Sequence, residues 1–365
     1  MYSLVRPLFF ALDPHTAHAV AFAGLGALEH LAPLRAAVRA FYRLNDDRLT
    51  VKKMGLVFPS PVGLAGGFDK NAQRPRAVAA FGFGHVELGT VTAEAQGPLD
   101  RPNLFRLPAD EALVNRLGFP NEGAAAVMTR LAKKKAGIGV PVGVSIGKSR
   151  SVPLDPVSGV VDDYLKSFRA VISVADFVVV NVSSPNTKNL RSMQAAASAR
   201  ALFGALAEER AKTGSSVPLL VKIAPDLDDE GIDTLCREAR AASFAGVVAT
   251  NTTISREGLA TPHDVVQRIG AGGLSGKPLF RRALAVVKHA RTHMGPDACV
   301  IGVGGVDGTE TALAMLRAGA DLVQIYTGFI YRGPSLPRTI GCGLLATMHA
   351  EGARSVRELT SLATT

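Results

Sequence analysis

The chain has 365 residues, 47% of them hydrophobic, and carries 41 Lys and Arg against 31 Asp and Glu for a net charge of +10. That length and apolar content suit a large α/β domain with attachments and exclude a chain that is disordered throughout. The basic balance admits an anionic substrate or an anionic membrane surface; nucleic acid is disfavoured, because aromatics make up only 6%, Trp is absent and no basic run is interleaved with aromatic residues.

Residues 1–45 differ in character from the rest of the chain. The apolar run Leu8–Leu12 is too short for a secretory signal. The stretch Pro14–Leu28 is interrupted by His15, His18, Gly24 and Gly26, and it falls short of the roughly 20 apolar residues that a membrane span needs. Asp13-Pro14 is a good helix start, with Asp as cap and Pro in the first turn, and predicts a helix over Pro14–Glu29 and a second over Pro33–Leu44. Leu31, Leu34, Val38 and Phe41 recur at helical spacing, and Arg35, Arg39 and Arg43 repeat on an adjacent face. Such a pair either lies in a membrane interface or packs on the main body as a brace, and on the residues alone the brace is the commoner outcome.

From about Gly55 onward eight apolar runs of strand length occur: Pro61–Ala65, His85–Gly89, Val140–Ile146, Phe177–Val182, Val217–Ile223, Gly246–Thr250, Val300–Val303 and Leu322–Tyr326. Helical patterns fall between most of them, at Ala72–Phe81, Glu122–Lys135, Asp162–Val174, Ala195–Lys212, Asp229–Ala241 and Gly308–Ala318. Strands alternating with helices predict βαβ units, and eight of them predict a (β/α)8 TIM barrel with a small N-terminal helical extension. The expected division is 1–45, a barrel over 46–350 and a tail over 351–365, with disorder expected after Glu358. Two long excursions, 91–121 and 254–298, read as containing loop-like stretches over one face of the barrel. The three cysteines, Cys236, Cys299 and Cys342, show no zinc or disulfide spacing and point to a reducing compartment. Cys236 and Cys342 read as helical, Cys299 as the start of a strand, and none as catalytic.

Every one of the eight runs ends in polar or glycine-rich sequence. In order these ends are Gly66-Gly67-Phe68-Asp69-Lys70, Thr90, Ser145-Ile146-Gly147-Lys148, Asn181-Val182-Ser183-Ser184-Pro185-Asn186-Thr187, Lys222-Ile223-Ala224-Pro225-Asp226, Thr250-Asn251-Thr252-Thr253, Gly304-Gly305 and Tyr326-Thr327-Gly328. Active sites of this fold gather at the carboxyl ends of the strands, so eight such ends read as one site. Glycines after the last two strands suit a phosphate, with Gly272-Gly273-Leu274-Ser275-Gly276 as a further source of backbone donors. No GxGxxG opens a helix after an early strand, which disfavours a Rossmann nicotinamide site. Lys222 at a barrel mouth suits a fixed cation or a Schiff base. Lys70 is either an exposed loop lysine or a substrate ligand. Ser184 either satisfies its own loop or serves as a general base through a relay, and no nucleophile elbow accompanies it.

Together these segments resemble the dihydroorotate dehydrogenase family, in particular its quinone-dependent, membrane-associated class. The resemblance runs from Asp13-Pro14 to about Gly333-Pro334. Its motifs are GLAGGFDK (63–70), ELGTVT (87–92), LFRL (104–107), NRLGF (115–119), NVSSPNT (181–187), VKIAPDL (221–227), ATNTT (249–253), GGLSG (272–276), IGVGG (301–305) and QIYTGF (324–329). It implies oxidation of (S)-dihydroorotate to orotate in pyrimidine synthesis, with FMN as hydride acceptor and a membrane quinone, ubiquinone or menaquinone, as final acceptor. Ser184 stands where that class carries its base, and the soluble classes carry Cys there. Phe119 and Thr187 match residues bordering the base. Lys70, Asn115, Arg116, Leu117, Gly118, Asn181, Asn186, Asn251 and Thr252 match the substrate site. For FMN the matches are Gly66, Gly67, Phe68, Asp69, Lys70, Thr90, Ser145, Asn181, Lys222, Thr250, Gly276, Gly305, Tyr326 and Thr327. His18 and Arg106 match the inner end of the quinone tunnel, and Arg35, Arg39 and Arg43 then suggest contact with anionic lipid. The resemblance further implies a monomer without metal, held peripherally on the cytoplasmic side of a bacterial inner membrane or, alternatively, on a mitochondrial one. Two positions depart from the pattern: Ser145 stands where Asn is frequent, and Pro120 follows Phe119 where Asn is common.

Overall fold

The computed structural model describes residues 2–361. Eight parallel strands close on themselves: β1 (Val62–Leu64), β2 (His85–Val91), β3 (Val142–Ile146), β4 (Phe177–Asn181), β5 (Leu219–Ile223), β6 (Gly246–Ala249), β7 (Cys299–Val303) and β8 (Leu322–Ile325). Each pairs with its sequence neighbours, and β8 closes onto β1 through Val323–Val62, Gln324–Gly63 and Ile325–Leu64. This is the (β/α)8 barrel that the alternating runs predict, and all eight runs contain a strand.

The strands are buried on both faces, which is why they read as unbroken apolar runs. Outward side chains such as Val178, Val180 and Val221 join the large cluster shared with the surrounding helices. Inward ones, among them Phe177, Val179, Leu220, Val248 and Ile301, fill the cylinder. Each fully buried side chain of this size contributes about 1.5–3 kcal/mol. A small antiparallel hairpin, Val51–Lys53 with Leu56–Phe58, sends Phe58 into the interior, where its ring meets His85 (5.5 Å) and Phe177 (6.4 Å). Filling is achieved by pairing large with small: a Cβ on Gly63 would lie 2.1 Å from Nε2 of His85.

The two excursions are more ordered than their composition suggests. They pair with each other, so that Leu104–Leu107, Ala112–Asn115 and Gly273–Gly276 form a three-stranded antiparallel sheet. Strands of four residues leave little local pattern, and a partner more than 150 residues away leaves none.

The N-terminal segment forms three helices rather than two: α1 (Tyr2–Ala11), α2 (Pro14–His30) and α3 (Ala32–Tyr42). Asp13 caps α2 as its sequence implies, accepting from the N–H groups of His15 and Thr16. Two contacts pin the end of α2 to the barrel domain. Buried Glu29 accepts the Ala77 N–H at 2.9 Å, and Lys134 approaches it at 3.5 Å. Two arginines of the stripe spend donors on backbone carbonyls. Arg35 donates to the carbonyls of Leu28 and Glu29, and Arg39 to those of Gly137 and Ile138, because carbonyls left open at chain ends are strong acceptors for a guanidinium. The outward face is apolar, with Leu4 (78%), Leu8 (70%) and Phe41 (62%) the most exposed large side chains. Among the described residues no helix is long and apolar enough to cross a membrane. At the other end, Val356–Ser361 is helical and Leu359 is fully buried, so order continues past Glu358; residues 362–365 of the expected tail lie outside the described ones.

Candidate active site

A cavity of about 1090 Å³, open mouth included, lies at the carboxyl ends of the strands. All but one of the barrel strands or their following loops send residues to its wall. β1 is followed by Gly66, Gly67 and Lys70; β2 brings Glu87 and Thr90; β4 leads to Asn181 and Asn186; β5 carries Lys222; β6 leads to Thr250, Asn251 and Thr252; β7 ends at Gly304 and Gly305; β8 ends at Tyr326 and Thr327. The added sheet closes one side with Leu104, Leu113, Asn115, Ser275 and Gly276, and Leu117, Gly118 and Phe119 extend from it. The long excursions are therefore walls of the site.

Local sequence explains several placements. The ladder between β2 and β3 breaks register between Leu88 and Val91, where Gly89 has a positive φ, and this break turns Thr90 inward. Thr90 Oγ1 then accepts from Asn181 Nδ2 at 3.0 Å and lies 2.9 Å from Ser145 Oγ. Gly305, also at positive φ, lies so close to Phe280 that a Cβ would be 2.6 Å from the Phe280 Cβ, so the chain is bare where it borders the cavity.

The asparagines hold one another. Asn186 Nδ2 donates to Asn115 Oδ1 at 3.1 Å, and Asn115 Nδ2 reaches the Gly273 carbonyl at 3.4 Å. Asn251 Nδ2 donates to Ser183 Oγ at 3.0 Å and to Asn181 Oδ1 at 3.3 Å. Buried Tyr164 donates to the Asn181 carbonyl at 2.8 Å. Four amides from three elements are thus oriented before anything binds, which favours a planar ligand with amide edges.

Lys222 Nζ, almost fully buried, pairs with Glu87 Oε1 at 3.3 Å, and the other Glu87 oxygen accepts from Gln324 Nε2 at 2.9 Å. Behind them His85 is fully buried, and burial pushes its imidazole down to about 3. Glu87, Gln324 and His85 escape sequence reasoning. The signal was present, as a charge and two polar groups inside the otherwise apolar runs HVELGTV and LVQI, but which face of a strand they occupied was not legible. Lys70 donates to the Gly67 carbonyl at 2.6 Å, and burial pushes it down to about 8 with Asp69 opposing. It is no free loop lysine.

The remaining expected residues lie apart from the cavity wall. Ser184 is buried just behind it, its Oγ accepting the Asn186 N–H at 3.2 Å; among the described residues no histidine or carboxylate bonds to it. Thr187 follows in the same loop, half-buried. Asp69 caps its own turn by accepting from the N–H groups of Gln73 and Arg74. Ser145 is fully buried and reaches the site through Thr90. Arg116 donates to the carbonyls of Ile269, Ala271 and Pro102 and stacks on Phe105 at 4.8 Å, so its guanidinium clamps the neighbouring loops together. Cys236 and Cys299 are buried, and burial raises both thiols, Cys236 to about 12.

A second cavity adjoins the first through Lys70, which lines both. Its walls join His18 and Phe22 of α2, Phe68 and Pro120 to a polar side formed by Asn71, Gln73, Gln96, Asn121 and Glu122. Phe68 makes edge contacts with Tyr326 of the main cavity (6.2 Å) and with His18 (6.1 Å), and His18 stacks on Phe22 at 5.4 Å. His18 keeps an exposed edge, yet burial pushes its imidazole down to about 4, with the charges of Lys70 and His15 adding to the effect. Arg106 does not line this cavity; it donates to the carbonyls of Phe10 and Leu12 and lies over the Phe10 ring, tying α1 to the added sheet.

The family model described as dihydroorotate dehydrogenase matches residues 48–348. Curated proteins named dihydroorotate dehydrogenase (quinone) are similar over nearly the whole chain. That of Corynebacterium diphtheriae is 44% identical, covering 97% of this chain and 95% of its own. That of Thermobifida fusca is 47% identical, covering 97% and 94%. Among solved structures, the ferulenol complex of the Eimeria tenella enzyme superposes with a TM-score of 0.84 at 32% identity and 95% coverage of both chains. The sequence match, the closed barrel and the cavity at its strand ends agree, and the chain belongs to the dihydroorotate dehydrogenase family, among its quinone-dependent members.

Proposed function

We propose that this protein oxidises (S)-dihydroorotate to orotate in pyrimidine biosynthesis and passes the electrons, through bound FMN, to a membrane quinone. The observation that carries this reading is the convergence of Asn115, Asn181, Asn186 and Asn251 with Lys70 and Lys222 in one cavity bounded by glycines. The substrate is an anionic ring bearing amide edges, and this donor set matches it.

The residues present also fit FMN. Gly276, Gly304, Gly305 and Thr327 would offer hydroxyl and backbone donors to a phosphate, and Thr90, Asn181, Lys222 and Thr250 polar contacts to a ring system. When bound, FMN supplies the hydride acceptor. Lys222, held in place by Glu87, would supply a fixed positive charge to that ring system. Asn115, Asn186, Asn251 and Thr252 would hold and orient the pyrimidine, and Lys70 would meet its carboxylate. Ser184 would take the proton from the carbon adjacent to the one giving up hydride, while its own hydroxyl proton passes outward through a relay to solvent. Its loop must turn Oγ from the Asn186 N–H toward the cavity to do so, and half-buried Thr187, three residues on, is the side chain we assign to that relay. Phe119 covers the site against water.

The aromatic side of the second cavity, formed by His18, Phe22 and Phe68, is where we place the quinone. His18, neutral near pH 7, faces aromatic neighbours that lead through Phe68 to Tyr326. The exposed apolar side chains of α1 and α3 then rest in the lipid interface, and the protein sits peripherally on the cytoplasmic face of a bacterial inner membrane.

The test is the visible spectrum of the purified protein. A flavin spectrum that bleaches anaerobically on adding dihydroorotate, and returns on adding a short-chain quinone, is the expected result. A colourless protein that cannot take up FMN, or bound flavin indifferent to dihydroorotate, overturns the proposal.

A further inference from the structure

Far from the barrel mouth, two neighbouring outer helices bring three ligand-bearing side chains together. Asp233 lies on the helix Asp229–Ala241, and His289 and His293 lie four residues apart on the helix Phe280–Met294, which packs against it. Spacing of four places both imidazoles on one face, a turn apart. Their rings stack with centroids 4.7 Å apart and an interplanar angle of 26°. Each turns Nε2 toward the same oxygen, Oδ1 of Asp233, at 2.5 Å from His289 and 3.0 Å from His293. All three side chains are 26–37% exposed, and none lines either cavity.

We infer that Asp233, His289 and His293 form a site for a borderline first-row divalent cation such as Zn²⁺. Two imidazole nitrogens and a carboxylate oxygen are the donors such ions prefer, and all three ligand atoms lie within 4.8 Å of one another. Metal–ligand bonds of about 2.0–2.2 Å require the ligand atoms to stand about 3.3 Å apart in a tetrahedron. The nitrogens must therefore withdraw from Asp233 by less than an ångström, a small rotation for partly exposed side chains. One carboxylate offsets only part of the ion's charge, and Arg240, which donates to the His293 carbonyl at 3.0 Å, adds positive charge nearby. Because the three side chains are partly exposed, water would complete the coordination of a bound ion. A bound ion would cross-link the two helices and stabilise the fold through its preference for the native state.

The holoenzyme, stripped with a chelator and dialysed, is titrated with Zn²⁺ by calorimetry, with its melting temperature followed in parallel. One equivalent taken up with micromolar or tighter affinity, and a raised melting temperature, are expected. The variants H289A/H293A and D233N should each weaken that uptake at least about 10-fold, the equivalent of ~1.4 kcal/mol, while dihydroorotate oxidation stays unchanged. Failure of the wild-type protein to take up one equivalent, or the same uptake by H289A/H293A, overturns the inference. D233N serves as an independent variant, since it preserves shape and removes only the charge.

Discussion

Lys222 and Glu87 face each other across the barrel interior at 3.3 Å, and with Gln324 they form the polar floor of the main cavity. Neither partner has much access to water: Glu87 is 1% and Lys222 6% exposed. Removing one member leaves the other buried and uncompensated, which costs about 3–5 kcal/mol, whereas removing both is far less damaging.

Glu87→Gln should therefore lower the melting temperature by roughly 4–7 °C, and E87Q/K222M should melt higher than E87Q. Thermal denaturation followed by circular dichroism checks both. If E87Q melts with the wild-type protein, the pair carries no structural weight.

Ser184→Ala should leave the bound flavin spectrum intact and slow anaerobic bleaching by dihydroorotate by about 10²–10⁴-fold, the usual contribution of a positioned base. Stopped-flow absorbance reads this directly. Unchanged bleaching would remove Ser184 from its role and point to another proton acceptor near Asn186.

Lys70 is held down to about 8 by burial. Below that pH it is charged and attracts the substrate carboxylate; above it the ammonium is lost. kcat/KM for dihydroorotate, which reports the free enzyme, should fall as pH rises through about 8, and Lys70→Met should be low and flat across the same range. A wild-type profile level to pH 10 would contradict this.

His18→Ala should spare bleaching by dihydroorotate but slow re-oxidation by a short-chain quinone about 10-fold, the worth of ~1.4 kcal/mol of lost contact. Separate half-reactions in a stopped-flow instrument distinguish the two steps. Equal rates in both would detach His18 from the quinone path.

The barrel was legible because doubly buried parallel strands such as Phe177–Asn181 write themselves as continuous apolar runs, and because their polar exits can be recognised one by one. The same local signals announced the Asp13 cap and most of the intervening helices. Composition could not reveal that the excursions around Asn115 and Gly273 pair with each other, since each strand is four residues long and its partner is remote. Nor could it tell that Arg35 and Arg39 spend their charge on carbonyls, or that Arg116 and Arg106 clamp loops and helices instead of lining a cavity.

By itself, then, the order of residues determined the eight barrel strands and the chemical character of their ends, both of which depend on neighbours a few positions away. Only the tertiary structure decided which polar side chains face one another. Glu87 meets Lys222 across 135 residues of sequence, and His18 meets Phe68 from a separate helix, because closing the cylinder and docking α2 set those distances.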